Sequence, residues 1–338
     1  APADPANDIA PAQAANTFSW GPETADADLM YERLTGLLDH AGREYPTLTI
    51  RQATLEFLAA TGTFLNSNGV DFTSRRSRYA VQTMFSAREG DRVSSFSGAG
   101  LTRETLDRPL AECATLDTLM RQSTEQVRTT KVPGKFTGTL LITPDCLLDF
   151  VGFLLQSISD GPLIAGTSLY HGKLGESVAA PSVSLHSRPR AMPSGYFVTG
   201  DGFEVEDASI VENGRLCSYL LDLYGANKTG FARAATGGGC WVMDAGDTDL
   251  DAMIGAIDRG ILITRFSGGR PNDKGDFSGI AKNSYYIENG QVRFPVSETM
   301  ISGNLAALLE NVRSVSTQRA DFGSRILPWV SADGLVVS

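Results

Sequence analysis

Short β-forming runs separated by glycine-bearing turns are the feature that most limits what this chain can fold into. Two of the turns are Glu-Asn-Gly triplets, Glu212-Asn213-Gly214 and Glu288-Asn289-Gly290. Asn-Gly between apolar runs predicts a tight hairpin, because both central residues of a type I′ turn need positive φ. β-like runs at 203–206, 209–211, 215–221, 261–266 and 285–287 surround these triplets. A third hairpin signal is Asn66-Ser67-Asn68-Gly69, between alternating runs at 48–50 and 55–57 and another at 79–85; together they predict an antiparallel meander. Regular strand-helix-strand units are few, so the expected class is α+β, antiparallel-sheet-rich and two-domain, rather than a doubly wound parallel sheet.

Helical periodicity marks the remaining elements. Leu29, Leu34, Leu37, Leu38 and Ala41 predict an amphipathic helix over 28–44, with His40 as a cation or capping donor in its last turn. A second helix is expected over 106–127. Thr143 as N-cap, Pro144 at the first helical position and Asp145 in the first turn predict a third, and Leu147, Leu148, Val151, Leu154, Leu155 and Ile158 predict that it is deeply buried. Short helices are expected at 250–258 and 305–312. Residues 1–26 read as a Pro/Ala-rich linker, 27–130 as a middle α+β domain and 135–338 as a second domain, with Lys131-Val132-Pro133-Gly134 at the boundary. The first residues lack Met and a signal-peptide pattern, so an upstream portion is expected to have been removed.

Charge and composition exclude several functions. With 29 Lys+Arg against 39 Asp+Glu the net charge is −10, which argues against a nucleic-acid partner. The short cluster Arg75, Arg76 and Arg78 reads as a solvated strand face. The longest apolar stretch, 150–155, is too short for a membrane span. Cys113, Cys146, Cys217 and Cys240 form no CxxC pair and suggest a reducing compartment. No GxSxG elbow or phosphate-cradling glycine loop occurs; Gly98-Ala99-Gly100 and Gly237-Gly238-Gly239 do not follow a strand and open a helix. His40, His171 and His186 are the three histidines, and none is followed by Glu. The residues alone leave a soluble α+β protein, with His171, His186 and Cys240 as the remote candidates for a self-sufficient hydrolytic site.

The segment Gly275-Asp276-Phe277-Ser278-Gly279-Ile280-Ala281-Lys282-Asn283-Ser284-Tyr285-Tyr286-Ile287-Glu288-Asn289-Gly290, continued by Phe294-Pro295-Val296 and Ile301-Ser302-Gly303-Asn304, resembles the C-terminal domain of the TldD/PmbA (TldE) family. This is the "modulator of DNA gyrase" or U62 peptidase family. Further matches run in order: Asn66 to Gly69, Gly166-Thr167-Ser168 before Lys173-Leu174-Gly175-Glu176, Val211 to Gly214 with Tyr219-Leu220, and Ala226 with Thr236-Gly237.

The resemblance implies a peptidase-like fold with an N-terminal module ahead of the linker, and the expectation is that this module is absent from the sequence. It also implies one of two subunit kinds. TldD-like subunits carry an HExxxH helix and a C-terminal Cys as zinc ligands, whereas PmbA/TldE-like subunits lack them and pair with the first kind. Here the ligand positions align with Gly152, Phe153 and Ser157; no His or Glu occurs from 143 to 166 and no Cys from 314 to 338. The expectation is therefore a metal-free, PmbA/TldE-like chain without a catalytic residue or cofactor of its own. It would be cytoplasmic and would shape a cavity for unfolded peptides beside a zinc-bearing TldD-type subunit, or form a homodimer. Arg265, Phe277, Ser278, Asn283 and Tyr285 are the expected peptide groove; a stand-alone peptide-binding module is the other reading.

Overall fold

The computed structural model describes residues 4–268, 270–297 and 299–338. Its first half is built on one long hairpin. The elements are β1 (Asn16–Trp20), α1 (Ala27–Glu44), β2 (Leu48–Leu65), β3 (Asp71–Glu89), β4 (Arg92–Val93), β5 (Gly100–Arg103) and α2 (Leu116–Glu125). β2 and β3 pair antiparallel from Leu48↔Ala87 to Leu65↔Asp71. Their turn is closed by the Asn66 side chain, whose Oδ1 accepts from the backbone N–H of Asn68 and of Val70 at 3.0 Å, and by Gly69 at φ +92°.

Within the stretch expected to be a linker, residues 16–20 form β1, parallel to β3 with Asn16↔Phe72 in register. The residues before it are pinned too: Asp4 pairs with Lys228 at 2.7 Å, and the carbonyl of Ala10 accepts from Asn66 Nδ2 at 2.9 Å. Ala10 and Phe18 are also buried against Val70, Phe72 and Phe197, but these few contacts are isolated along the segment, so no periodicity announced it.

α1 is capped by Asp26, whose Oδ1 accepts from Leu29 N at 3.0 Å. His40 does not cap it; Nε2 lies 2.6 Å from Asp117 Oδ1 and so ties α1 to α2. The helix expected over 106–127 is broken into a 3₁₀ turn, Leu110–Glu112, and α2. Pro109 in an extended conformation and Ala114 at φ +51° interrupt it. Arg76 corrects the solvated-face reading of the basic cluster. It is buried, its guanidinium lies 4.7 Å from the Phe197 ring centroid, Nη2 donates to the Met192 carbonyl at 2.8 Å, and burial lowers its pKa to about 10.

The second half contains β6 (Phe136–Ile142), α3 (Leu147–Ser157), α4 (Asp160–Ala165), β7 (Leu185–Ser187), β8 (Ala208–Glu212), β9 (Arg215–Leu216), α5 (Leu223–Thr229), β10 (Trp241–Met243) and α6 (Leu250–Gly255). It continues through β11 (Arg259–Ile263), β12 (Arg265–Gly268), β13 (Asp276–Lys282), β14 (Tyr285–Glu288), β15 (Gln291–Pro295), β16 (Thr299–Asn304), α7 (Leu305–Glu310), β17 (Val312–Asp321) and β18 (Arg325–Val337). The sheet's spine runs β15-β14-β11-β6-β18-β10-β7-β8-β9. Only β6/β11 and β10/β18 pair parallel in this sheet among the described residues, so the architecture is mixed and mainly antiparallel.

Both Glu-Asn-Gly turns have the geometry their sequence predicts, with φ +48° and +77° at Asn213 and Gly214 and +50° and +71° at Asn289 and Gly290. The run at 203–206 is not a strand; it contributes a single bridge, Val198↔Glu204.

α3 lies over this sheet. Phe150, Val151, Leu154 and Ile158 are buried with Ile142, Ile263, Phe277 and Leu308, whereas Leu148 is half-buried. The helix starts three residues after the predicted first turn, because Thr143 to Cys146 closes a separate turn in which Cys146 N donates to the Thr143 carbonyl at 3.2 Å. The two halves share apolar core: Tyr79, Val81 and Phe85 of β3 pack with Leu37, Leu101 and Met120, and with Ala320 of β17 and Phe322 just after it.

Candidate functional site

Where the hairpin faces the second sheet, the two halves border an open cavity of about 560 Å³. Gln82 and Met84 of β3 form one wall, the backbone of 96–100 forms a rim, and Asp145, Asp149, Thr264 and Arg265 form the opposite wall. The rim can lie this close only because residue 98 is glycine, since a Cβ there would stand 2.0 Å from the Thr83 carbonyl oxygen.

The acidic wall is built by the turn into α3. Asp145 Oδ1 accepts from Thr115 Oγ1 at 2.5 Å, yet burial outweighs that bond and the charge of Arg325 and raises its pKa to about 6. Burial also raises Asp149, against the opposing charges of Arg325 and Arg265. Neither carboxylate is in an ion pair among the described residues. Between them, the buried Cys146 thiol donates to the Ile263 carbonyl at 3.3 Å, and burial pushes its pKa well up. Thr264 is 4 % exposed, and its hydroxyl has no hydrogen-bond partner among the described residues.

The five expected groove residues divide. Arg265 is exposed and lines the cavity; its Nη1 donates to the Phe96 carbonyl at 2.7 Å. Asn283 is buried, and its Nδ2 donates to the same carbonyl at 3.1 Å, so both hold the rim in place. Ser278 is exposed on β13, paired with Ser302 of β16. Phe277 is a core residue, edge-on to Phe150 with ring centroids 5.8 Å apart. Tyr285 is buried and points away to α2, where its hydroxyl donates to Glu125 Oε2 at 2.5 Å. Phe277 and Tyr285 are therefore interior residues that present little surface to a ligand.

At the positions expected to match the zinc ligands, Gly152 and Phe153 are half-buried and Ser157 is buried. Phe153 packs on the core, and the space beside Gly152 is open, with no atom within 4 Å of where its Cβ would be.

The rival trio does not assemble. His171 is exposed and sits edge-on to Phe231, ring centroids 5.5 Å apart. His186 is buried, with Nδ1 3.0 Å from Ser209 Oγ and Nε2 3.2 Å from Asp244 Oδ2. Burial raises the Cys240 thiol to about 11, so it is protonated near neutral pH and a poor nucleophile. No hydrogen bond joins the three, and no cluster of three His, Cys, Asp or Glu side chains able to hold a metal occurs among the described residues.

Asp145, Asp149, Thr264 and Arg325 were not identified as site residues from sequence. The available signal was two acids four apart at the start of an otherwise apolar run, Cys146 to Leu155. No described helix is long and apolar enough to cross a membrane.

Comparison with known proteins places this fold. Residues 134–338 match the model of the PmbA/TldA metallopeptidase C-terminal domain. The Metalloprotease PmbA homolog of Haemophilus influenzae is 27 % identical over 293 residues, covering 78 % of this chain and 63 % of the relative. Metalloprotease PmbA of Escherichia coli O157:H7 is 26 % identical over 235 residues, covering 66 % and 50 %. The chain thus spans between half and 63 % of these relatives' length. TldE from Thermococcus kodakarensis has the same fold, with TM-score 0.78 at 20 % identity over 94 % of this chain and 75 % of that one. A Bacteroides thetaiotaomicron protein described as a modulator of DNA gyrase gives TM-score 0.82 at 22 % identity, covering 93 % and 72 %.

Proposed function

The chain belongs to the PmbA/TldD family of metallopeptidases, and from that premise we propose that it is the metal-free subunit of a two-subunit peptidase, shaping a cavity for unfolded peptides beside a zinc-bearing TldD-type partner. The observation that carries this reading is the make-up of α3. A helix that holds a catalytic zinc needs imidazoles turned into the site and a carboxylate base beside them. α3 instead carries Gly152, Phe153 and Ser157 at the positions in question, with Phe153 packed on the core and Ser157 buried.

The cavity between the halves, with β12 pairing β13 alone among the described residues beside it, supports the peptide part of the proposal. An extended peptide binds such a strand through main-chain hydrogen bonds with little sequence preference. Four free cysteines support a reducing, cytoplasmic location. The net charge of −10 supports a peptide rather than DNA as the ligand, and a homodimer is the proposed form when the partner is missing. Elemental analysis of the desalted chain tests the reading: zinc well below one equivalent is expected, and stoichiometric zinc overturns it. Phe153→Glu alone should add neither zinc nor activity, since one carboxylate cannot hold the ion without its imidazoles.

A further inference from the structure

Asparagine followed by glycine occurs three times in the chain, at Asn68-Gly69, Asn213-Gly214 and Asn289-Gly290. Each pair carries the groups for one reaction with water. The main-chain nitrogen of the glycine attacks Cγ of the asparagine side chain and gives up its proton to water, ammonia leaves with the amide nitrogen, and a succinimide ring closes. Water then opens the ring at one carbonyl or the other, leaving aspartate or isoaspartate. Asparagine is thermolabile for this reason, and the fold decides which of the three pairs can reach the geometry for attack.

Two of them are held away from it. Gly214 N donates to the Val183 carbonyl and Gly290 N to the Ile257 carbonyl, both at 2.8 Å, so each attacking nitrogen is tied to a different segment of the chain. Both sites are also crowded: a Cβ on Gly214 would lie 2.4 Å from the Ala179 carbonyl oxygen, and one on Gly290 would lie 2.7 Å from that of Gly255. At the tip of the β2–β3 hairpin the surroundings are open. Gly69 is exposed, and no atom beyond its chain neighbours lies within 4 Å of where its Cβ would be. Its N–H bonds at 3.2 Å to the Asn66 carbonyl, inside the same loop, and that bond moves with the loop.

Asn68 also holds a second segment. Its Nδ2 donates to the carbonyls of Ile9 and Ala10 at 3.4 and 3.2 Å, which fastens the stretch before β1 to the hairpin tip. We propose that Asn68 is a site of spontaneous deamidation, at which water converts the amide to a carboxylate and loosens residues 6–13 from the tip. A carboxylate accepts hydrogen bonds and cannot donate them, so two bonds to carbonyls give way to repulsion. Isoaspartate in addition lengthens the main chain by one carbon. The exposed tip of a loop is where such a change is tolerated without loss of the fold.

Incubation of the folded chain at mildly alkaline pH, followed by peptide mapping with mass spectrometry, tests the site. Asn68 should be converted at least about fivefold faster than Asn213 or Asn289, the factor imposed by one backbone hydrogen bond that must break first. The three rates should become similar in urea, where the fold no longer distinguishes them. Hydrogen exchange tests the consequence: Asn68→Asp should speed amide exchange at 6–13 by about two- to tenfold, as expected for the loss of one net hydrogen bond. Conversion of Asn213 or Asn289 as fast as Asn68 in the folded chain, no conversion of Asn68 there, or the same order of rates surviving in urea overturns the site. Unchanged exchange at 6–13 in Asn68→Asp overturns the loosening.

Discussion

The Asn283 side-chain amide donates to the carbonyl of Phe96 at 3.1 Å, fastening the second sheet to the rim of the cavity. Asn283 sits between β13 and β14 at φ +50°, a conformation asparagine tolerates better than most residues. Two effects therefore meet at one position. Asn283→Gly keeps the backbone free and loses only the hydrogen bond, whereas Asn283→Ala loses the bond and adds left-handed strain. The alanine variant should be less stable than the glycine variant by about 1 kcal/mol, and both should show faster amide exchange at 94–99. Equal stability of the two variants in urea titrations would contradict the strain argument.

Asp145 predicts a pH dependence of stability. Its pKa rises from the ordinary 3.8 to about 6 on folding, through burial. The folded chain then binds this proton more tightly than the unfolded chain. The contribution is favourable below about pH 4 and is lost as pH rises through about 6. Asp145→Asn, which keeps an acceptor for Thr115, should be close to neutral at about pH 4 and stabilising by on the order of 1–2 kcal/mol near pH 7. Arg325, Asp149 and Arg265 are the charged groups facing this wall, and their charges are unchanged by the substitution. The same effect at both pH values would contradict the assignment.

α3 offers a pair of opposite predictions. Leu154 is 2 % exposed, and Leu154→Ala should cost about 2–5 kcal/mol through lost burial and the cavity left behind. The half-buried Leu148 should cost less on the same change. Gly152 has open space where a Cβ would be, so Gly152→Ala should stabilise by about 0.5–1 kcal/mol through helix propensity. Thermal melts read all three, and a destabilising Gly152→Ala would show that the helix surface there is in contact with something.

Sequence revealed the local parts of this fold and little of the site. The hairpins were legible because Asn213-Gly214, Asn289-Gly290 and the 66–69 loop encode positive φ within two or three residues. α1 was legible from its 3.6-residue stripe. β1 was not, because its strand bonds go to β3 more than fifty residues away and its sequence carries no strong alternation. The start of α3 was misplaced because Thr143-Pro144-Asp145 fits a helix start and a tight turn equally well. Phe277 and Tyr285 looked like groove residues in one dimension, but alternation along β13 and the pull of Glu125 put them in the interior. The acidic wall joins residues 115, 145, 149 and 264 from separate elements, and only the packing of the halves brings them together.

Cleavage of a fluorogenic unfolded peptide by this chain, by a TldD-type subunit as the proposed partner and by the mixture of full-length forms, each with and without a chelator, tests the central claim most directly. The account predicts no turnover by this chain alone, because nothing on α3 can hold an ion that would activate water, and chelator-sensitive turnover in the mixture. Chelator-resistant turnover by this chain alone would contradict it.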